Sequence, residues 1–134
     1  MREKNSTIKY FTRDELTNLF KAIKSIKCKH QIRNETMFRI GYYCALRASE
    51  LQLLKIDDYN SIKNEIYCRR LKGSQNNTIR IIDTSTIKAL KKYIKAYNPT
   101  DYLFLSQENK PISRFMLNYL TKKYCAAAGI RDKS

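Results

Sequence analysis

Ala45-Leu46-Arg47-Ala48-Ser49-Glu50-Leu51-Gln52-Leu53-Leu54 is the stretch on which the reading of this chain turns. Ahead of it, residues 35–44 place Met37, Ile40, Gly41 and Cys44 on one helical face, and beyond it Leu51, Leu53 and Leu54 resume an apolar period. Arg47 stands in the break between the two. A guanidinium pinned between packed segments is costly without a partner. Two readings follow: Glu50, within reach if the second helix starts near Ala48, neutralises Arg47, or Arg47 waits for an external anion.

The 134 residues suit a single domain with a real core. A hydrophobic share of 43% with 11% aromatics argues against disorder. Lysine and arginine number 27 against 12 acids, a formal charge of +15 spread along the whole chain. Such an excess favours a polyanionic partner through counterion release and long-range steering, with nucleic acid ahead of an anionic membrane. No apolar run approaches the roughly 20 residues of a membrane span. Met1-Arg2-Glu3-Lys4-Asn5-Ser6 also lacks the apolar core of a signal peptide. The expectation is therefore a cytoplasmic, nucleoid-associated protein with no membrane partner. Cys28, Cys44, Cys68 and Cys125 are widely spaced, with no C-x-x-C and His30 as the sole histidine. This predicts buried reduced thiols and argues against a zinc site. His30, within Lys27-Cys28-Lys29-His30, reads as part of a solvated loop.

Outward from the break, residues 1–10 form a basic arm or linker and residues 11–134 the domain. Thr12-Arg13-Asp14-Glu15 is a capping box. It opens an amphipathic helix with Leu16, Leu19, Phe20, Ile23 and Ile26 on one side and Lys21, Lys24 and Lys27 on the other. A basic loop, residues 27–33, leads to Asn34 as cap of the second helix, and the third ends near Lys55. The pattern then changes to strands. Glu65-Ile66-Tyr67-Cys68-Arg69-Arg70-Leu71 and Thr78-Ile79-Arg80-Ile81-Ile82 flank Lys72-Gly73-Ser74-Gln75-Asn76-Asn77, a β-hairpin with turn chemistry at its tip. A short edge strand at residues 56–59 can join it. Thr84 or Ser85 caps a fourth helix with Ile87, Leu90, Ile94 and Tyr97 inward and Lys88, Lys91, Lys92 and Lys95 outward, closed by Pro99. After a short apolar run at residues 101–105, Ser113 caps a last helix with Met116, Leu117, Leu120, Tyr124 and Ala127 inward and Gly129 just past its end. The fold class is α+β, mainly helical with a small two- or three-stranded antiparallel sheet.

The order and spacing of Ala45-Leu46-Arg47-Ala48-Ser49-Glu50-Leu51, the lysine-tipped hairpin, and Ile112-Ser113 opening a helix that ends at Ala128-Gly129-Ile130 resemble the tyrosine recombinase, or phage integrase, family. The family's first box reads close to G-L-R-x-S-E-L. The resemblance implies that the fold is that of a tyrosine recombinase catalytic domain, with Arg47 as the first catalytic arginine, Glu50 as its supporting acid and Lys72 as the hairpin lysine. It also implies a basic DNA contact at Arg80. In the family a tyrosine attacks a phosphodiester to give a 3′-phosphotyrosyl link and a free 5′-hydroxyl, with no metal or cofactor. The arginine fork suits the transition-state phosphoryl oxygens, and an ammonium on a hairpin tip suits protonation of the leaving oxygen.

Arg114, at the start of the last helix, and Lys9 and Arg13 near the arm are further candidates for DNA phosphate contacts. The resemblance places the family's H-x-x-R box and nucleophilic tyrosine beyond Gly129. The expectation is thus an N-terminal part of a catalytic domain, with no nucleophile among the ten tyrosines. It would bind double-stranded DNA and other recombinase protomers but not cleave alone. Two alternatives remain: a non-catalytic DNA-binding module that modulates a complete recombinase, and a general basic nucleic-acid-binding protein. Exposed apolar surface could drive dimerisation or swapping.

Overall fold

The computed structural model describes residues 11–69, 77–106 and 108–130. Among these residues the chain forms five α-helices and a small sheet: α1 (Arg13–Ser25), α2 (Gln31–Tyr43), α3 (Ala48–Leu53), β1 (Tyr59–Asn60), β2 (Glu65–Cys68), β3 (Asn77–Arg80), α4 (Thr84–Tyr97) and α5 (Arg114–Ala127). The expected α+β architecture is present, with α2 packed on α1 and α4, and α5 packed on α1 and α3.

The capping box of α1 forms as its sequence predicts. Thr12 Oγ1 accepts from the Glu15 N–H at 3.1 Å, and Glu15 Oε1 accepts from the Thr12 N–H at 3.0 Å. Ser113 caps α5 by accepting from the Met116 N–H at 3.0 Å, and Gly129 follows the helix at φ +74°, the left-handed geometry that glycine takes without steric cost. The lysines of α4 are exposed, as its period requires, while Leu90 and Tyr93 are fully buried.

Several local expectations are corrected. Helix α2 begins at Gln31, not after a loop ending at Arg33, and its N-cap residue is His30. Asn34 is a buried helix residue whose Nδ2 donates to the Tyr124 hydroxyl at 3.0 Å, so its amide ties α2 to α5 instead of capping a helix end. Helix α4 is capped by Asp83, which accepts from both the backbone N–H (2.9 Å) and the hydroxyl (2.7 Å) of Thr86; neither Thr84 nor Ser85 caps it. A carboxylate there also complements the helix dipole. Ala127 is exposed, because the last turn of α5 rotates it away from the core. Cys28 is exposed, whereas Cys44, Cys68 and Cys125 are buried. Leu53 is only half-buried.

The sheet is antiparallel in the order β1-β2-β3. Residues 56–58 form a 3₁₀ turn, so the expected edge strand starts only at Tyr59. Tyr59 pairs with Ile66, and Ile66 in turn with Ile79. Ile66 and Cys68 alternate inward with no exposed surface, while Tyr67 faces out. The apolar run at 101–105 makes bridges rather than a strand. Its buried side chains, Leu103, Phe104 and Leu105, lie beside Tyr93. The Tyr93 hydroxyl donates to the Leu103 carbonyl at 2.7 Å and accepts from the Leu105 N–H at 3.2 Å. Burial pushes that phenol up to about 12 despite the bond from Leu105. No described helix is long and apolar enough to cross a membrane.

Candidate nucleic-acid interface

The break at the end of α2 is a paired backbone motif. Ala45 adopts φ +55°, its N–H reaches the Tyr42 carbonyl at 3.2 Å, and the Leu46 N–H reaches the Gly41 carbonyl at 3.0 Å. These are the two bonds of a Schellman termination, with alanine in the left-handed position usually given to glycine. Leu46 then plunges into the core at 5% exposure. The turn throws Arg47 outward in an extended conformation, where it precedes the first turn of α3.

The expectation of an Arg47 pinned between packed segments is corrected, and so is the reading in which Glu50 neutralises its guanidinium. Arg47 is exposed, and among the described residues its guanidinium makes no hydrogen bond or ion pair. Glu50, in contrast, is buried, and its Oε1 accepts from the backbone N–H of Arg47 at 2.8 Å. The carboxylate therefore fixes the backbone from which the arginine projects. Gln52 Nε2 donates to the Ile112 carbonyl at 3.1 Å, tying the same short helix to the segment that starts α5.

Of the other expected contacts, Arg13 and Arg114 are exposed first residues of α1 and α5. A cation at that end of a helix opposes the dipole, so its favourable partner is an anion from outside. Arg80 is exposed at the end of β3, opposite Glu65 in the ladder. Its nearest cross-strand neighbour is thus a carboxylate. Lys9 and Lys72 lie outside the described residues, as do the arm at 1–10 and the hairpin tip. The structure brings Arg47 and Glu50 together, leaving Arg80, Arg13 and Arg114 on separate elements.

Sequence reasoning missed the residue that secures the hairpin base. Asp58, 8% exposed, accepts from the Lys55 N–H at 2.9 Å and from the guanidinium of Arg69, where β2 ends. Arg69 also lies over the Tyr67 ring at 5.4 Å. The bond to Asp58 raises the Arg69 pKa further above its ordinary value. Two more arginines are buried in α2. Arg39 is matched by Glu35 at 2.9 Å, Asp83 at 3.6 Å and the Phe20 ring at 4.6 Å. Arg33 donates to Asn34 Oδ1 at 3.0 Å and the Leu105 carbonyl at 3.1 Å. The Glu35–Arg39 spacing was the one sequence signal for this group.

Comparison with known proteins now adds to the geometry. The model of the "Phage integrase family" matches residues 9–134. The chain belongs to the phage integrase family. A tyrosine recombinase of Agathobacter rectalis is 30% identical to this integrase-family chain over 133 residues, covering 90% of the chain and 42% of that protein. The crystal structure of XerA recombinase superposes with a TM-score of 0.79 at 24% identity, covering 98% of the chain and 47% of its own. XerH site-specific recombinase in a post-cleavage complex with its palindromic difH substrate gives a TM-score of 0.78 at 21% identity, with coverage of 97% and 39%. The fold of this integrase-family chain is therefore that of the tyrosine recombinases. The chain spans 32–42% of the length of three curated relatives it matches.

Proposed function

We propose that this chain supplies the phosphate-gripping part of a tyrosine recombinase catalytic domain, whose whole protein breaks and rejoins double-stranded DNA in site-specific recombination or integration. Arg47 is the group that holds the scissile phosphate, and its exposed guanidinium, free of protein partners among the described residues, carries the reading. A planar, permanently charged fork fits the equatorial oxygens of a phosphoryl transition state. Glu50 keeps the Arg47 backbone in place. Lys72 follows the strand anchored by Asp58 and Arg69, and serves as general acid toward the leaving 5′ oxygen. Arg114, Arg13, Lys9 and Arg80 add backbone contacts, in that order of support.

The attacking tyrosine is not among those of this chain. Tyr93 and Tyr124 are fully buried and hydrogen-bonded, which suits them to the core. In this reading, which follows the resemblance rather than the burial of any one tyrosine, the chain binds duplex DNA without forming a covalent adduct and acts with further recombinase protomers in the cytoplasm, at the nucleoid.

The test is duplex binding followed across salt concentration. Affinity is expected to fall steeply with salt, as phosphate contacts require. Arg47→Ala is expected to weaken binding by about tenfold or more while leaving stability within about 0.5 kcal/mol. Binding indifferent to salt, or an Arg47→Ala effect no larger than that of Lys95→Ala, overturns the assignment. A nicked suicide duplex trapping an adduct on any tyrosine here would overturn the placement of the nucleophile.

A further inference from the structure

A buried arginine without a counter-anion is the least explained charge in this molecule. Arg33 is 4% exposed, yet its only partners are neutral oxygens, and no carboxylate pairs with it among the described residues. Its fork carries five N–H donors, and beyond two hydrogen bonds the rest find no acceptor among the described residues. Desolvation disfavours a buried charge left in this state. The burial lowers the Arg33 pKa, as expected for a cation lacking compensation.

Arg33 does not face a dry interior. It lines a cleft together with His30, Ser106, Lys110 and Ser113, at the N-terminus of α5. His30 places Nδ1 against the Tyr97 hydroxyl, and its Nε2 is buried without a hydrogen-bond partner. The tautomer in which Nδ1 accepts from Tyr97 makes Nε2 a donor awaiting an acceptor. Ser106 Oγ and Ser113 Oγ already accept backbone N–H groups, which leaves their hydroxyl protons to donate. The first-turn N–H groups of α5 have no partner within the helix. Glu108 shares the cleft, but its pairing with Lys110 at 3.8 Å joins two largely exposed side chains. Such a pair is weak and readily exchanged.

From this convergence we infer that the cleft between the start of α2 and the start of α5 is a phosphate-binding site, with Arg33 as its buried anchor and Lys110, His30 and the two serine hydroxyls as further donors. The occupant is a tetrahedral oxyanion, supplied either by a nucleic-acid backbone or by free phosphate. This second site does not depend on the role assigned to Arg47. It fits the distribution of protein partners: the buried Nε2 of His30 and the remaining N–H groups of Arg33 find no acceptor among the described residues, and an N-terminal helix end favours a negative one.

The experiment titrates the protein with inorganic phosphate at constant ionic strength, chloride being the exchanged ion. The ring resonances of His30, the only histidine, report by NMR. Saturable shifts are expected, with a rise in Tm beyond that given by chloride. Lys110→Gln, at an exposed position that the fold does not need, is expected to weaken phosphate about threefold, and Arg33→Met by about tenfold or more. Should Arg33→Met fail to fold, Lys110→Gln alone decides. Shifts that track chloride equally, or a Lys110→Gln protein that binds phosphate like the parent, overturn the proposal. A final arm adds a short duplex: displacement of phosphate from the His30 site identifies a backbone phosphate as the occupant, and retention of both identifies a free anion.

Discussion

Arg33 and Arg39 sit on one helix, both buried, and differ in what surrounds them. Arg39 has two carboxylates and an aromatic face, drawn from α1, α2 and the cap of α4. Arg33 has an amide oxygen and a backbone carbonyl. A guanidinium whose charge the protein balances is a fastener between elements. One whose charge the protein leaves unbalanced, beside a cleft, is available to a ligand. Arg47 is a third case, exposed and unpaired among the described residues, where only its backbone is secured.

The sharpest break of this comparison comes from Arg39→Met. Removing the guanidinium takes from Glu35 and Asp83 their shared cation, leaving Glu35 with Lys24 at 4.0 Å and Asp83 with its Thr86 bonds, and loss of one partner from a largely buried network costs about 3 kcal/mol. Denaturant unfolding should show this as a lower midpoint at unchanged m. Arg33→Met leaves no carboxylate behind, so its cost should be about 1 kcal/mol. Equal losses for the two would show that Arg33 is a fastener as well.

Tyr93→Phe tests a neutral counterpart of the same rule. The hydroxyl serves both the Leu103 carbonyl and the Leu105 N–H, and both are buried. Deleting it leaves a donor and an acceptor unsatisfied, at a cost of about 2 kcal/mol. If thermal unfolding is unmoved, the run at 101–105 finds other partners and is not pinned by Tyr93.

How much of this was legible in advance follows from how local each interaction is. The capping box of α1, the lysine face of α4 and the Ser113 cap depend on residues within one turn, and all were readable. The start of α2 was misplaced because Asn34 is a strong cap residue by type, and only a hydroxyl on α5, distant in sequence, explains its burial. The bland appearance of His30 and Arg33 had the same cause. Their neighbours Tyr97, Leu105 and Ser113 come from three later segments that no periodicity brings together. Arg47 was singled out through the order of the family's boxes, while its exposure was misjudged. The left-handed alanine that swings it outward cannot be read from alanine's own preferences.

That alanine allows a gain rather than a loss. At φ +55°, Ala45 carries a side chain in a conformation that glycine adopts freely. Ala45→Gly removes this strain but also loosens the unfolded chain, for a net stabilisation of about 0.5 kcal/mol. A rise in Tm with DNA affinity unchanged would show that the break is a strained but rigid hinge. A fall would show that the methyl group contributes packing that outweighs the strain.

The smallest expected effect lies in pH. Burial, aided by the charges of Arg33 and Lys29, lowers the His30 pKa below its ordinary 6.5. The unfolded chain therefore takes up a proton on this ring at a higher pH than the folded one. Between the folded value and about 6.5 the unfolded state binds more protons, so stability rises with pH across that window. It is complete above 6.5 and declines as pH falls through the folded pKa. Since this is the only histidine, His30→Gln should flatten the slope of Tm against pH from about 5.5 to 7.5, above the range where carboxylates titrate. A slope that persists in His30→Gln would move its origin to another group. The ring beside Arg33 would then be as solvated as its sequence first suggested, and the contrast between Arg33 and Arg39 would lose one of its supports.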